Sequence, residues 1–103
     1  MDKFTSIDPN SLSTSELHKM LLLSVAPRPI ALASTVDKKG NVNLSPFSCF
    51  NMFSANPPIL IFSPSRRVRD NSTKDTLENI KQVKEVVINI VNFSIVEPVS
   101  LAS

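Results

Sequence analysis

Apolar positions change period several times along this chain, and each change marks an element. Residues 1–12 carry no periodic pattern, only Pro9 with scattered Ser and Asn, which reads as irregular backbone. Ser13 followed by Glu16 has the spacing of a capping box, in which the hydroxyl accepts from a free N–H while the carboxylate reaches back. Leu17, Met20, Leu21 and Ser24 recur at helical spacing, and Leu22 and Leu23 add apolar surface, so a helix is predicted over about 14–24. Pro27 and Pro29 stop it and force extended backbone around Arg28.

Strand-like periods follow. Ile30 to Val36 is a short apolar and β-branched run, placing a strand over about 29–36. Asp37-Lys38-Lys39-Gly40 is a polar turn in which Gly40 can take positive φ. Asn41 to Ser45 alternates polar and apolar, predicting a half-buried antiparallel strand over about 41–45. Pro46, lacking an N–H, is expected to interrupt the ladder, after which Phe47, Phe50, Met52 and Phe53 supply bulk through a less regular stretch. Asn56-Pro57-Pro58 reads as a second turn, with a buried strand over about 58–63 beyond it. Residues 63–75 form a polar, basic loop. Leu77, Ile80 and Val83 then recur every third residue, an amphipathic helix over about 73–84 with Ser72 or Thr73 as N-cap. Val86 to Val91 is the strongest strand candidate, over about 86–92, and Ser94 with Glu97 repeats the capping-box spacing for a last helix.

Composition narrows the chemistry. The chain has 103 residues, enough for one domain, with 42% hydrophobic and 19% charged residues, an ordinary globular balance. The single Cys49 and single His18 exclude a disulfide framework, a Cys-rich zinc site and a His-clustered metal site. One Gly against eight Pro excludes the glycine-rich phosphate loops. No apolar run approaches a membrane span and no signal peptide is evident, so no membrane partner and a cytoplasmic location are expected. A net charge of +2 does not call for nucleic acid, and the basic loop lacks an aromatic stacking platform for single strands.

Two stretches carry candidate chemistry. Arg66, Arg67, Arg69 and Lys74 lead into a helix and are surrounded by Ser63, Ser65, Ser72, Thr73 and Thr76. Guanidinium groups and helix N-terminal N–H groups suit a phosphate monoester. A solvated loop whose arginines pair with Asp70, Asp75 and Glu78 accounts for the same residues. The second stretch is 43–53 (NLSPFSCFNMF), where a broken strand would free backbone groups for the edge of a flat ligand; a bulged core strand is the plainer alternative. Cys49 reads as a buried small hydrophobe and His18 as exposed surface. The carboxylates Asp37, Asp70, Asp75, Glu78, Glu85 and Glu97 show no paired acid–base arrangement.

Taken in order, PRPIALAST (27–35), the DxxG turn (37–40), NVNLSPFSCFN (41–51), NPPILIFSPS (56–65), TKDTLENI (73–80) and VVINIV (86–91) resemble the flavin reductase-like family, and more closely its flavoredoxin-type branch. The likeness runs over about 14–102. It implies a single domain over 1–103 that is mainly β with helices: a partial FMN-binding split β-barrel of antiparallel strands, with C-terminal strands missing. It implies FMN as cofactor, NAD(P)H as electron donor, and a homodimer. By the same likeness Asn43, Leu44, Ser45, Ser48 and Phe50 would line the flavin ring. Ser63, Arg67, Thr73, Lys74 and Thr76 would hold the phosphate, and Ser34 and Thr35 would face the ring or the ribityl chain. The implied activity is flavin-mediated hydride transfer from NAD(P)H, with no catalytic side chain needed and no metal. A non-catalytic FMN-binding carrier or sensor, and an inactive fragment, stay open beside it.

Overall fold

The computed structural model describes residues 3–64 and 74–102. A single turn of 3-10 helix at Pro9–Ser11 precedes helix α1, Thr14–Ser24. The Ser13 hydroxyl caps α1 by accepting from the Glu16 N–H at 3.1 Å and donates to the Glu16 carboxylate at 2.9 Å. Beyond α1, the Arg28 guanidinium donates through Nη1 to the carbonyls of Leu22 and Val25, which its last turn leaves unpaired.

Five strands follow: β1 Ala31–Val36, β2 Val42–Phe47, β3 Phe50–Ala55, β4 Pro58–Phe62 and, after helix α2 (Asp75–Gln82), β5 Val87–Ile90. A second 3-10 turn, Phe93–Ile95, leads into α3, Val96–Leu101. Strands β2, β1 and β5 form one antiparallel sheet in that order, with Ala31 opposite Phe47 and Ile90, and Ala33 opposite Ser45 and Ile88. Strands β3 and β4 form a separate hairpin with a register shift between Met52 and Ser54. The β1–β2 turn is built as its residues require. Gly40 takes φ +86°, and the Asp37 carboxylate accepts from the Lys39 and Asn41 N–H groups.

Four expectations about the elements need correcting. Phe50–Ala55 is a strand, not an irregular stretch; its bulge hides the period-2 alternation. Pro46 sits inside β2 opposite Leu32 and does not end the ladder, because β2 is an edge strand with half of its N–H groups turned away from the partner. The capping position of α2 is Lys74, not Ser72 or Thr73, and α3 begins at Val96 without a side-chain cap, the Ser94 hydroxyl bonding the Asn92 side chain instead.

The core is small. Among the described residues the buried apolar side chains are Ala31, Ala33, Phe47, Phe50 and Val99. Phe47 meets Phe62 with ring centroids 5.2 Å apart, which joins the sheet to the hairpin. Much of the apolar surface stays open: Val42, Met52, Phe53, Leu60 and Ile90 are all more than half exposed. The accessible surface is 8258 Å², against ~5,700 Å² for a folded monomer of this mass. The described strands do not close into a barrel.

Candidate functional site

Helix α2 lies along the β1–β2 hairpin and is fastened to it by side chains two or three residues apart. Leu77, Ile80 and Val83 give it a half-buried apolar stripe, as their spacing predicts. Polar contacts set its position along the strands. The Lys74 ammonium stands 5.3 Å from the centroid of the Phe47 ring. Asn43 Nδ2 donates to the Thr76 hydroxyl at 3.0 Å, and Asn79 Nδ2 donates to the Thr35 hydroxyl at 3.2 Å. At the far end Gln82 Oε1 accepts from the Lys38 N–H at 3.2 Å.

The pairing register decides which residues share a face. Thr35 is opposite Asn43, Ala33 opposite Ser45 and Ala31 opposite Phe47, so these side chains point to the same side of the sheet. That side carries α2. Asn43, Ser45, Lys74 and Thr76 are therefore brought together near Phe47, so one residue at the start of α2 from the expected basic stretch, Lys74, meets the stretch after the β1–β2 turn. Ser34 and Leu44, also opposite each other, point to the other face and do not join them. Thr35 and Thr76 are 4% and 1% exposed, and their hydroxyls are engaged between strand and helix, so their side chains present almost no surface to a ligand. Arg67 and Thr73, with Ser65, Arg66, Arg69, Asp70 and Ser72, lie outside the described residues.

The start of α2 has no side-chain cap, and its first N–H groups point toward the Lys74 end. An uncapped helix N-terminus beside an ammonium suits an anion, although Asp75 and Glu78 place negative charge in the same turn. Ser63 borders this region through the corner between β2 and β3, its N–H donating to the Cys49 carbonyl at 2.9 Å. Ser48 is half-buried at that corner. Cys49 itself is exposed, contrary to the buried reading, because it faces an open groove rather than packed core. His18 is exposed, as expected.

That groove, about 610 Å³, lies between α1, Pro27–Pro29 and the β3–β4 hairpin. Leu21, Leu22, Val25, Phe53 and Ile61 make it predominantly apolar, and of the expected site residues that are described, Phe50 alone lines it. Its polar lining among the described residues is His18, Arg28, Cys49 and Asn51, with Arg28 Nη1 already donating to two carbonyls, whereas the cluster at Lys74 joins a cation to a helix start and short polar side chains and is the better candidate for an anionic ligand. Asn79, absent from the sequence expectations, belongs to that cluster. Its signal was present in the sequence, since Thr76 and Asn79 are three residues apart and share a helix face. No group of metal-binding side chains occurs among the described residues, and no described helix is long and apolar enough to cross a membrane.

Comparison with known proteins gives a consistent answer. The model of the flavin reductase like domain matches residues 23–101. A protein of Halalkalibacterium halodurans is 39% identical over 97 residues, covering 94% of this chain and 46% of the relative. A protein of Aquifex aeolicus is 44% identical over 81 residues, covering 79% and 41%. Among solved structures, nitrilotriacetate monooxygenase component B from Bacillus cereus superposes with a TM-score of 0.88 at 33% identity, over 99% of this chain and 50% of that one. The 2-nitrobenzoate 2-nitroreductase of Pseudomonas fluorescens superposes at 0.80 and 32% identity, over 95% and 46%. The chain thus spans about half the length of the proteins it matches. The antiparallel sheets with helices and no closed barrel correspond to part of a split barrel.

Proposed function

Since the chain belongs to the flavin reductase-like family, we propose that it is a flavin-binding oxidoreductase that holds FMN against the α2 face of β2 and takes electrons from NAD(P)H. The observation that carries this reading is the meeting of Lys74, the uncapped start of α2, Asn43 and Ser45 on one face. A phosphate needs a cation and free N–H donors, which the Lys74 end supplies. A ribityl chain and ring edge need short polar groups beside an apolar wall. Asn43, Ser45 and Ser48, with Phe47 nearby, are of that kind. Ser63 lies within reach of the same corner, and Phe50 forms part of the wall toward the hairpin.

FMN, when bound, supplies the hydride chemistry itself. The protein's task is to bind and orient. Lys74 neutralises the phosphate, and Asn43 Oδ1, whose partner amide is committed to Thr76, remains an acceptor for a hydroxyl or ring N–H. No acid or base is required of the chain. A homodimer in the cytoplasm is part of the proposal, and the open apolar side chains of the hairpin are what a second copy would cover.

The test is the absorbance spectrum of the purified chain with and without added FMN, followed by anaerobic addition of NADH or NADPH. Uptake of FMN and bleaching of its visible band are expected. FMN that binds but is not bleached would make the chain a carrier or sensor. A colourless chain that takes up no FMN would make it a ligand-free fragment.

A further inference from the structure

Thr35, Asn43, Thr76 and Asn79 form a closed four-residue arrangement. Thr35 and Asn43 are direct cross-strand partners, and Thr76 and Asn79 are three residues apart on one face of α2. Each pair contributes one amide donor and one hydroxyl acceptor. The two hydrogen bonds therefore run in opposite senses, strand to helix from Asn43 to Thr76 and helix to strand from Asn79 to Thr35. The Gln82–Lys38 bond holds the far end of the helix, and the crossed pair holds the end nearer Lys74. The pair, from neighbouring strands to positions nearly a turn apart, fixes both the rotation of the helix and its place along the sheet. The acceptors, Thr35 and Thr76, are the buried polar residues among those described, where an unmet hydroxyl or amide is costly, so a slipped helix is penalised rather than tolerated.

We infer that this crossed pair of hydrogen bonds is a positioning latch that sets the register of α2 so that Lys74 stands over the Phe47 ring at the ligand-binding end of the helix. Thr35 and Asn79 then act through Lys74, not by touching a ligand. Lys74 lies two residues before Thr76, at a helix start without a side-chain cap, while the Glu78–Lys81 ion pair lies within α2 itself. The latch is independent of the flavin; only its consequence for FMN affinity rests on the proposed function.

The test follows the Lys74 side chain directly. A lysine held about 5 Å from a phenyl ring centroid has its ε-CH₂ proton resonances displaced upfield by the ring current, a signature that overall stability does not produce. Thr35→Val removes the acceptor at constant shape, Thr35→Ser keeps it, and Asn79→Ala removes the donor while placing a good helix former in α2. The displacement is expected in the natural chain and in Thr35→Ser, and is expected to collapse toward the value of an unstructured lysine in Thr35→Val and Asn79→Ala. FMN affinity should fall about fivefold to tenfold in the same two variants. Lys74 resonances that stay displaced in folded Asn79→Ala, or that are not displaced in the natural chain, overturn the latch. An FMN affinity unchanged where the resonance has moved overturns the link to the ligand. If the natural chain takes up no FMN, the proposed function fails, while the Lys74 resonance still decides the latch.

Discussion

The β1–β2–α2 region and the α1–hairpin region are built from similarly apolar sequence but are held in different ways. In the first, buried Ala31 and Ala33 let the backbone of the sheet lie under its neighbours, and Asn–Thr side-chain bonds fasten α2 in one register. In the second, α1 buries no side chain and Phe53 is 75% exposed. The hairpin is tied to the rest mainly by the Phe47–Phe62 ring contact and the Ser63–Cys49 backbone bond. An isolated two-stranded hairpin is marginal in water. The polar residues suited to ligand binding thus sit in the region with the buried strand and the fastened helix, and the apolar groove sits in the more openly packed region.

The harshest way to break this contrast is at the joint. Phe47→Ala removes a ring that is 4% exposed, touches Phe62 and lies under Lys74, and should cost about 3 kcal/mol. The loss should be uneven. Amide hydrogen exchange should show β3 and β4 opening well before β1 and β2, and equal loss of protection in both sheets would mean that they are a single cooperative unit. Next in size is Lys74→Ala, expected to weaken FMN binding by about 1.5–3 kcal/mol, the range for a hydrogen bond to a charged group. Its urea midpoint should move little, because a half-exposed cation–π contact contributes only about 0.5–1 kcal/mol. A titration showing natural FMN affinity in this variant would remove Lys74 from the site.

The difference between the regions also explains what the sequence reveals. Where one face is buried and the other wet, period and turn chemistry are explicit: the Ser13 cap, the Gly40 turn, β1, β2 and the α2 stripe all follow from local pattern. The hairpin is harder to read because both of its faces are apolar and a bulge at Met52–Ser54 shifts the alternation. Pro46 misleads for a related reason, since a local rule about ladder donors does not say that β2 will be an edge. The candidate site is legible as two stretches, but which of their residues meet is a matter of register. Leu44 and Asn43 are adjacent in sequence and point to opposite faces, and Thr35 and Thr76 belong to the right cluster with their side chains turned inward.

A gentler change tests the open region alone. Phe53→Ser should alter stability by no more than about 0.5 kcal/mol, since its ring already lies mostly in water. Denaturation measured over a hundredfold range of protein concentration sharpens the point. A loss that appears only at high concentration would show that a second copy covers the hairpin in solution, so that the exposed ring is an interface residue.

The smallest effect belongs to the ordered region and depends on pH. The Asp37 carboxylate accepts from the Asn41 side chain at 2.9 Å and from the backbone N–H groups of Asn41 and Lys39, and these bonds, the Asn41 side chain foremost, hold its pKa below the ordinary aspartate value. With the folded pKa depressed, the unfolded chain binds the proton more readily below about pH 4. The stabilisation is therefore fully present at neutral pH and is lost as pH falls through the folded value. Asp37→Asn keeps an oxygen acceptor for the backbone N–H groups but removes the charge. The natural chain should exceed this variant slightly in unfolding midpoint at pH 7, and the gap should close toward pH 3. A gap that persists undiminished in acid would mean that the side chain's shape, not its charge, organises the turn between β1 and β2 and hence the strand register on which the Lys74 cluster depends.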